Sequence, residues 1–165
     1  MSEIAVVGVT GAVGTELLRV MERRNFPVDR LRALASPRSA GQTVSFRGKD
    51  VPVEVADETS FEGVSLAFFS AGATRSRALV PAAQAAGARV VDNSSAFRMD
   101  DEVPLVVPEV NPGALRDHGG VVANPNCTTA IALMALAPIH EKFGIKRCIM
   151  STYQVPRWGR TRLAT

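Results

Sequence analysis

Cysteine is scarce in this chain, because only Cys127 and Cys148 occur among its 165 residues. This composition excludes a disulfide framework and favours a reducing, cytoplasmic compartment. Long apolar runs are also missing: the longest, Ala130 to Ile139, is far too short to cross a bilayer. The amino terminus carries Glu3 and no basic segment, so we expect neither a signal peptide nor a membrane partner.

Most of the chain carries no net positive charge. The formal net charge is +3, but Arg157, Arg160 and Arg162 all lie in the last nine residues, and the charges of the remainder balance. No basic face is left for a nucleic acid, so we expect none as a partner. The length suits one domain of about 100–200 residues. A hydrophobic fraction of 46% is typical of a folded globular core.

A glycine-rich segment near the amino terminus dominates the sequence. Ile4 to Val7 is an apolar, β-branched run that predicts a buried strand. Gly8, Gly11 and Gly14 follow at intervals of three, and residues 15–21 have a helical pattern. Strand, glycine turn and helix form a dinucleotide-binding unit, in which the helix amino terminus holds a pyrophosphate. The spacing is less specific than G-x-G-x-x-G, so a glycine turn without a ligand is the alternative.

No carboxylate follows the second predicted strand, Leu31 to Ala35. A fold that binds NAD usually has Asp or Glu about 20 residues after the glycines, where it holds the ribose 2′-OH. Ser36, Arg38 and Ser39 occupy this region instead. A guanidinium flanked by hydroxyls suits a 2′-phosphate, so we predict NADP as the cofactor rather than NAD. The alternative is a solvated loop arginine.

Strands and helices alternate along the chain. Further strands are predicted at Val64–Phe69 and Arg89–Asp92, with a hairpin at 42–55 and a helix at Thr74–Ala86. This order predicts an α/β fold with a doubly wound, Rossmann-like, mainly parallel sheet and helices on both faces. Small residues follow two strand ends, where such a sheet receives its ligand. They join the candidate cofactor site: Ser70, Ala71, Gly72, Asn93 and Ser94.

Arg98 lies just past the predicted strand end at Asp92. One interpretation is a salt bridge to Asp100 or Asp101. The other is an arginine that grips an anion at the ligand-binding edge of the sheet. The sequence leaves both open.

The segment Asn124-Pro125-Asn126-Cys127-Thr128-Thr129 carries the most specific chemistry. It precedes a predicted helix, Cys127 to Lys142, for which Asn126 is placed as the amino-terminal cap. A cysteine in the first turn of a helix is favoured as the thiolate, the form that attacks carbonyl groups. The alternative is a small buried cysteine without chemistry. That is our prediction for Cys148, in an apolar strand from Ile145 to Met150.

These motifs, in this order, resemble the amino-terminal half of the aspartate-semialdehyde dehydrogenases. The resemblance runs from Glu3 to about Gln154. The segments that carry it are Gly8–Gly14, Ser36–Gly41, Ser70–Gly72, Asp92–Arg98, Val107–Pro112, Asn124–Thr129 and Ser151–Gln154.

The resemblance implies NADPH-dependent reduction of aspartyl phosphate to aspartate semialdehyde with release of phosphate, in lysine, threonine and methionine biosynthesis. It implies that Cys127 is the nucleophile that forms a thioester. Asn126 would assist close to the reacting carbonyl group, and Gln154 would orient the substrate. Arg98 would hold the phosphate or another anionic group of the substrate. No metal site is predicted. NADP would lie on the glycine turn and the second loop: Gly8, Thr10, Gly11, Ala12, Val13, Gly14, Ser36, Arg38 and Ser39.

The resemblance ends near Gln154. We predict an NADP-binding domain over residues 1–154 and a basic, disordered tail outside the family pattern over 155–165. The homo-oligomeric family continues with a second domain that brings a general-base histidine, most substrate-binding charges and the dimer interface. The arginine-rich tail is typical of a frameshift or premature stop. Two hypotheses follow: an enzyme half with cofactor and nucleophile, or a nucleotide-binding fragment without turnover of its own.

Overall fold

The computed structural model describes residues 2–116 and 118–153. It contains two compact units, of which the first ends at Asn126 and the second begins at Cys127. The strands, all in the first unit, are β1 (Glu3–Val7), β2 (Arg30–Ala35), β3 (Thr43–Phe46), β4 (Lys49–Val55), β5 (Leu66–Phe69), β6 (Arg89–Asp92) and β7 (Val121–Ala123). The helices are α1 (Ala12–Arg23), α2 (Ala73–Ala85) and, in the second unit, α3 (Cys127–Phe143).

One sheet holds the first unit together, in the order β3-β4-β2-β1-β5-β6-β7. Each neighbouring pair is parallel except the hairpin formed by β3 and β4, which is antiparallel. The sheet confirms the predicted α/β, Rossmann-like fold. Its carboxyl edge is the edge at which such a fold binds ligands.

Strand β1 shows why the core has two sides. Successive side chains of a strand point to opposite faces. Ile4 and Val6 therefore pack in one apolar cluster with residues of α1, while Ala5 and Val7 pack in another with residues of α2. All four residues are at most 2% exposed. The apolar run from Ile4 to Val7 is uninterrupted because helices cover both faces of the sheet at β1, as was predicted from the sequence.

Several element boundaries differ from the prediction by one to three residues, and two of these differences have a clear physical reason. Helix α1 begins at Ala12, three residues earlier than predicted, because Gly11 already serves as its cap residue. The hairpin turn, for which the sequence Arg47-Gly48-Lys49-Asp50 was the predicted segment, is shorter and consists of Arg47 and Gly48, whose φ angles are 52° and 71°. Two consecutive positive φ angles are typical of a two-residue hairpin turn, because the twist of such a turn matches the right-handed twist of the flanking strands.

The predicted strand from Ile145 to Met150 is wrong. After α3, these residues form neither strand nor helix, and Cys148 is exposed rather than buried. An apolar run becomes a strand only when a neighbouring strand pairs with its backbone. None of the strands within residues 2–116 and 118–153 pairs with this segment. Gln154 and the predicted tail, 155–165, lie outside the described residues. None of the helices in the described ranges is long and apolar enough to cross a membrane.

Candidate functional site

The parallel sheet brings several predicted ligand-binding segments to one edge. Strands β2, β1, β5 and β6 are consecutive neighbours, so their carboxyl ends lie side by side. The residues that follow these four ends are, in the same order, Ser36, Gly8, Ser70 and Asn93. Residues that are up to 85 positions apart in the chain are therefore grouped at the carboxyl edge. This placement is the one in which doubly wound sheets bind nucleotides.

Gly8 allows the first turn to approach β5 closely. Its φ is +88°, and a Cβ atom at this position would lie 2.6 Å from the carbonyl oxygen of Ser70. Gly14 faces back onto the same turn, where a Cβ atom would overlap the carbonyl oxygen of Gly8 and the backbone of Val9. Any side chain at these two positions would push the helix and the strand ends apart.

Two pairs of backbone amides in and after the turn have different partners. The amides of Gly8 and Val9 donate to the carbonyl oxygen of Leu34, at 2.8 and 3.2 Å, and fix the turn against β2. Those of Ala12 and Val13 begin α1 and have no acceptor within the helix. They form the positive end of the helix dipole, which suits a pyrophosphate.

The loop after β2 is attached to the glycine turn. Residues Pro37–Ser39 form a short 3-10 turn. The hydroxyl of Thr10 donates a hydrogen bond to Ser39 Oγ at 3.2 Å. The Arg38 side chain is exposed beside this contact. A guanidinium so placed is available to a phosphate that lies beyond the turn.

An apolar cavity of about 510 Å³ opens beside α1 at the same edge. Four predicted cofactor residues contribute to its lining: Ala12, Val13, Ser70 and Asn93. Leu17 and Val20 of α1 and Phe68 and Val91 of the sheet also line it.

Arg98 does not form the salt bridge to Asp100 or Asp101. Its Nε donates to the carbonyl oxygen of Asn124 at 2.9 Å, and its Nη2 donates to that of Asn93 at 3.1 Å. The two asparagines are themselves joined, because Asn124 Nδ2 donates to Asn93 Oδ1 at 2.7 Å. Arg98 therefore bridges the ends of β6 and β7, and Nη1 takes part in neither bond. Its role as an anion ligand stays a prediction.

Asp92, the last residue of β6, was not among the predicted site residues. Its side chain is fully buried, and it accepts hydrogen bonds from the hydroxyls of Ser76 and Ser94. The hydroxyl of Ser94 is thus directed into the protein, and its predicted contact with the cofactor stays untested. A signal was present in the sequence: Asp92 is followed by three small polar residues, as is common where a carboxylate closes a turn.

Two other predicted residues meet at the boundary of the units. Asn126 is the last residue of the first unit. Cys127 is the first residue of α3, as predicted, and its side chain is exposed. No group of three or more His, Cys, Asp or Glu side chains within the described residues could hold a metal ion.

The fold and the carboxyl edge define a dinucleotide-binding domain of the Rossmann-like class. Residues 3–118 match the family described as "Semialdehyde dehydrogenase, NAD binding domain". The chain therefore belongs to the semialdehyde dehydrogenase family. Within it, the chain corresponds to the amino-terminal NAD(P)-binding domain of the aspartate-semialdehyde dehydrogenases, as the sequence motifs predicted.

Curated relatives and solved structures support this assignment. The aspartate-semialdehyde dehydrogenase of Bacillus subtilis is 53% identical over 151 residues, which are 92% of this chain and 44% of the relative. That of Synechocystis is 51% identical, over 92% and 45% of the two chains. The chain thus spans about half the length of the relatives it matches.

Two solved structures have the same fold. Aspartate semialdehyde dehydrogenase II of Vibrio cholerae, complexed with ASA, is 48% identical with a TM-score of 0.81, over 87% of this chain and 47% of that one. The Candida albicans enzyme, solved with NADP, is 26% identical with a TM-score of 0.70, over 88% and 48%.

Proposed function

We propose that this chain provides the NADP site and the nucleophile of an aspartate-semialdehyde dehydrogenase. One observation carries the proposal: the glycine turn, the loop with Arg38 and the segment after β5 meet at one sheet edge. The relative from Candida albicans was solved with NADP and the one from Vibrio cholerae with ASA. Both ligands belong to the proposed reaction.

The residues at the edge fit a phosphorylated dinucleotide. The space above Gly8 and Gly14 has no room for a side chain, and the amides of Ala12 and Val13 form a helix amino terminus that attracts a pyrophosphate. Arg38 would hold the 2′-phosphate, with the hydroxyls of Ser36 and Ser39 beside it. This arrangement supports NADP in preference to NAD, because no carboxylate follows β2 to bind a free 2′-OH.

Cys127 would perform the covalent step, as the family resemblance implies. Its thiolate would attack the acyl carbon of aspartyl phosphate. The carbon–sulfur bond of a thioester forms, the bond to the phosphate oxygen breaks, and phosphate leaves with the electron pair. NADPH, held by the glycine turn and the loop with Arg38, would supply the hydride for reduction of the thioester to the aldehyde, with the Cys127 thiolate restored. Arg98 would hold the anionic group, and Asn126 and Gln154 would position the substrate.

A chimera tests this proposal. Residues 1–154 of this chain would be joined to the remaining sequence of the Bacillus subtilis relative, which is 53% identical in the replaced part. We expect the chimera to reduce NADP only when both phosphate and aspartate semialdehyde are present. The absorbance of the reduced nicotinamide measures this reaction. Cys127→Ala should abolish turnover, whereas the matched variant Cys148→Ala should retain it.

The alternative is a nucleotide-binding unit without catalysis. It is favoured by one observation, namely that all the cofactor segments lie in the first unit and none needs α3. A folded chimera that binds NADPH but shows no turnover dependent on Cys127 would establish this alternative and refute the enzyme proposal.

A further inference from the structure

Asp92 is a buried carboxylate with a complete set of neutral donors. It is 0% exposed, as is its neighbour Ser76, and Ser94 is 8% exposed. Its Oδ1 accepts from Ser76 Oγ at 2.7 Å and from the Ser94 amide at 3.1 Å, and its Oδ2 accepts from Ser94 Oγ at 2.6 Å. None of the salt bridges between described residues includes it. Burial of a carboxylate is costly unless such bonds compensate it.

These bonds control the backbone beyond β6. Ser94 Oγ, while it donates to Asp92, also accepts from the amide of Ala96 at 3.0 Å. The carboxylate and one hydroxyl thereby close two successive turns. The segment that they hold, residues 93–98, ends at Arg98, whose guanidinium returns to the carbonyl oxygen of Asn93.

The same carboxylate also reaches α2. Ser76 lies in the first turn of this helix, whose cap residue is Gly72. The negative charge of Asp92 is therefore joined to the positive end of α2, which is a favourable position for it. One side chain connects the start of the helix after β5 with the segment after β6.

We propose that Asp92 is a positioning residue, which acts through Ser94 to order residues 93–98 and to hold the Arg98 guanidinium at the carboxyl edge. The proposal rests on the proposed function in one respect, namely that Arg98 is there the anion ligand. Asp92 itself would touch neither substrate nor cofactor, since it is fully buried.

The substitution Asp92→Asn removes the negative charge and one of the two acceptor oxygens of the side chain. The amide has the same shape but only one oxygen, so it cannot accept at both Oδ1 and Oδ2. If its nitrogen faces Ser94, the Ser94 hydroxyl loses the acceptor for its proton. The turn at Ala96 should then open while the strands remain paired.

Hydrogen exchange in the ¹⁵N-labelled 165-residue chain tests this. In Asp92→Asn we expect the Ala96 amide and the Arg98 Nε–H to exchange at least tenfold faster, and the β1 amides to change less than twofold. Ser94→Ala, which keeps the charge, should reproduce the effect and serves if Asp92→Asn does not fold. Asp57→Asn is the matched control, because Asp57 also accepts three bonds within its own turn, from Thr59 and Ser60.

Two results would overturn the proposal. One is unchanged exchange at Ala96 and Arg98 in both variants. The other is an equal increase throughout β1 and β5, which would make Asp92 a stability residue only. Inorganic phosphate, added to the wild type, tests the proposed function separately. If the Arg98 Nε–H signal does not respond, Arg98 is not the anion ligand, and the exchange rates still decide the role of Asp92.

Discussion

The hydroxyl of Thr10 donates to Ser39 Oγ at 3.2 Å, across 29 positions of the chain. This bond joins the turn after β1 to the loop after β2. It places Arg38 next to the segment that we propose for the pyrophosphate. The selectivity for a 2′-phosphate and the binding of the pyrophosphate, both of which we propose, would thus be properties of one connected surface.

We expect the preference for NADP over NAD to depend on Arg38. We predict that the chain binds NADPH more tightly than NADH and that Arg38→Ala removes most of this difference. A charge-assisted hydrogen bond contributes about 1.5–3 kcal/mol, which corresponds to roughly a tenfold to hundredfold change in affinity. Calorimetric titration with both nucleotides measures it. Arg24→Ala, at the far end of α1, is the control and should change neither affinity. Equal affinities of the wild type would contradict the assignment.

Gly8 is predicted to be irreplaceable for steric reasons. An L-residue in the left-handed region costs roughly 1–2 kcal/mol, and Ala at this position would also collide with the Ser70 carbonyl oxygen. Gly41 has a φ of +82° but open space around it. Gly8→Ala should therefore lower the urea midpoint and the NADPH affinity more than Gly41→Ala does. Equal effects would show that the backbone angle alone matters.

Cys127 should react faster with iodoacetamide than Cys148. Both side chains are exposed, so access does not separate them as the sequence analysis expected. Cys127, however, begins a 17-residue helix, whose amino terminus stabilises a thiolate. Peptide mass spectrometry after brief alkylation at mildly acidic pH measures the two rates. Equal labelling, or faster labelling of Cys148, would contradict this prediction.

Acid should weaken the turn at Asp57. The hydroxyls of Thr59 and Ser60 hold the pKa of Asp57 below its ordinary value of 3.8. The bonds therefore stabilise the fold fully above that value, and the contribution is lost as the pH falls through the lower pKa of the folded state. Below about pH 4, the urea midpoint of the wild type should fall more steeply than that of Asp57→Asn. A urea midpoint that falls with pH equally steeply in the wild type and in Asp57→Asn would refute the prediction.

Local patterns were sufficient to predict most of the fold. The bounds of β6 were predicted to the residue, because a strand that is buried on both faces has an uninterrupted apolar sequence. The position of the turn was predicted from its glycines, because a close backbone approach leaves no room for a side chain. The strand from Ile145 to Met150 was wrong for the complementary reason. Strand formation there depends on a pairing partner, which neighbouring residues do not specify.

The arrangement around Arg98 could not be predicted in the same way. Its partners Asn93 and Asn124 are 31 positions apart, and they meet only because β6 and β7 are parallel neighbours. The nearby acids Asp100 and Asp101 were the obvious candidates in the sequence. Asp92 was overlooked although three small polar residues follow it, because its connection to Ser76 becomes visible only when α2 lies against the sheet.

NADP, we propose, binds at the carboxyl edge of the sheet. Titration of the ¹⁵N-labelled 165-residue chain with NADPH, followed by its amide signals, tests this most directly. We predict saturable changes at Thr10, Ala12, Val13, Ser39 and Ser70, with the amides at the opposite edge, such as those of Glu3 and Ser65, unaffected. Absence of binding, or changes confined to residues away from the carboxyl edge, would contradict the account.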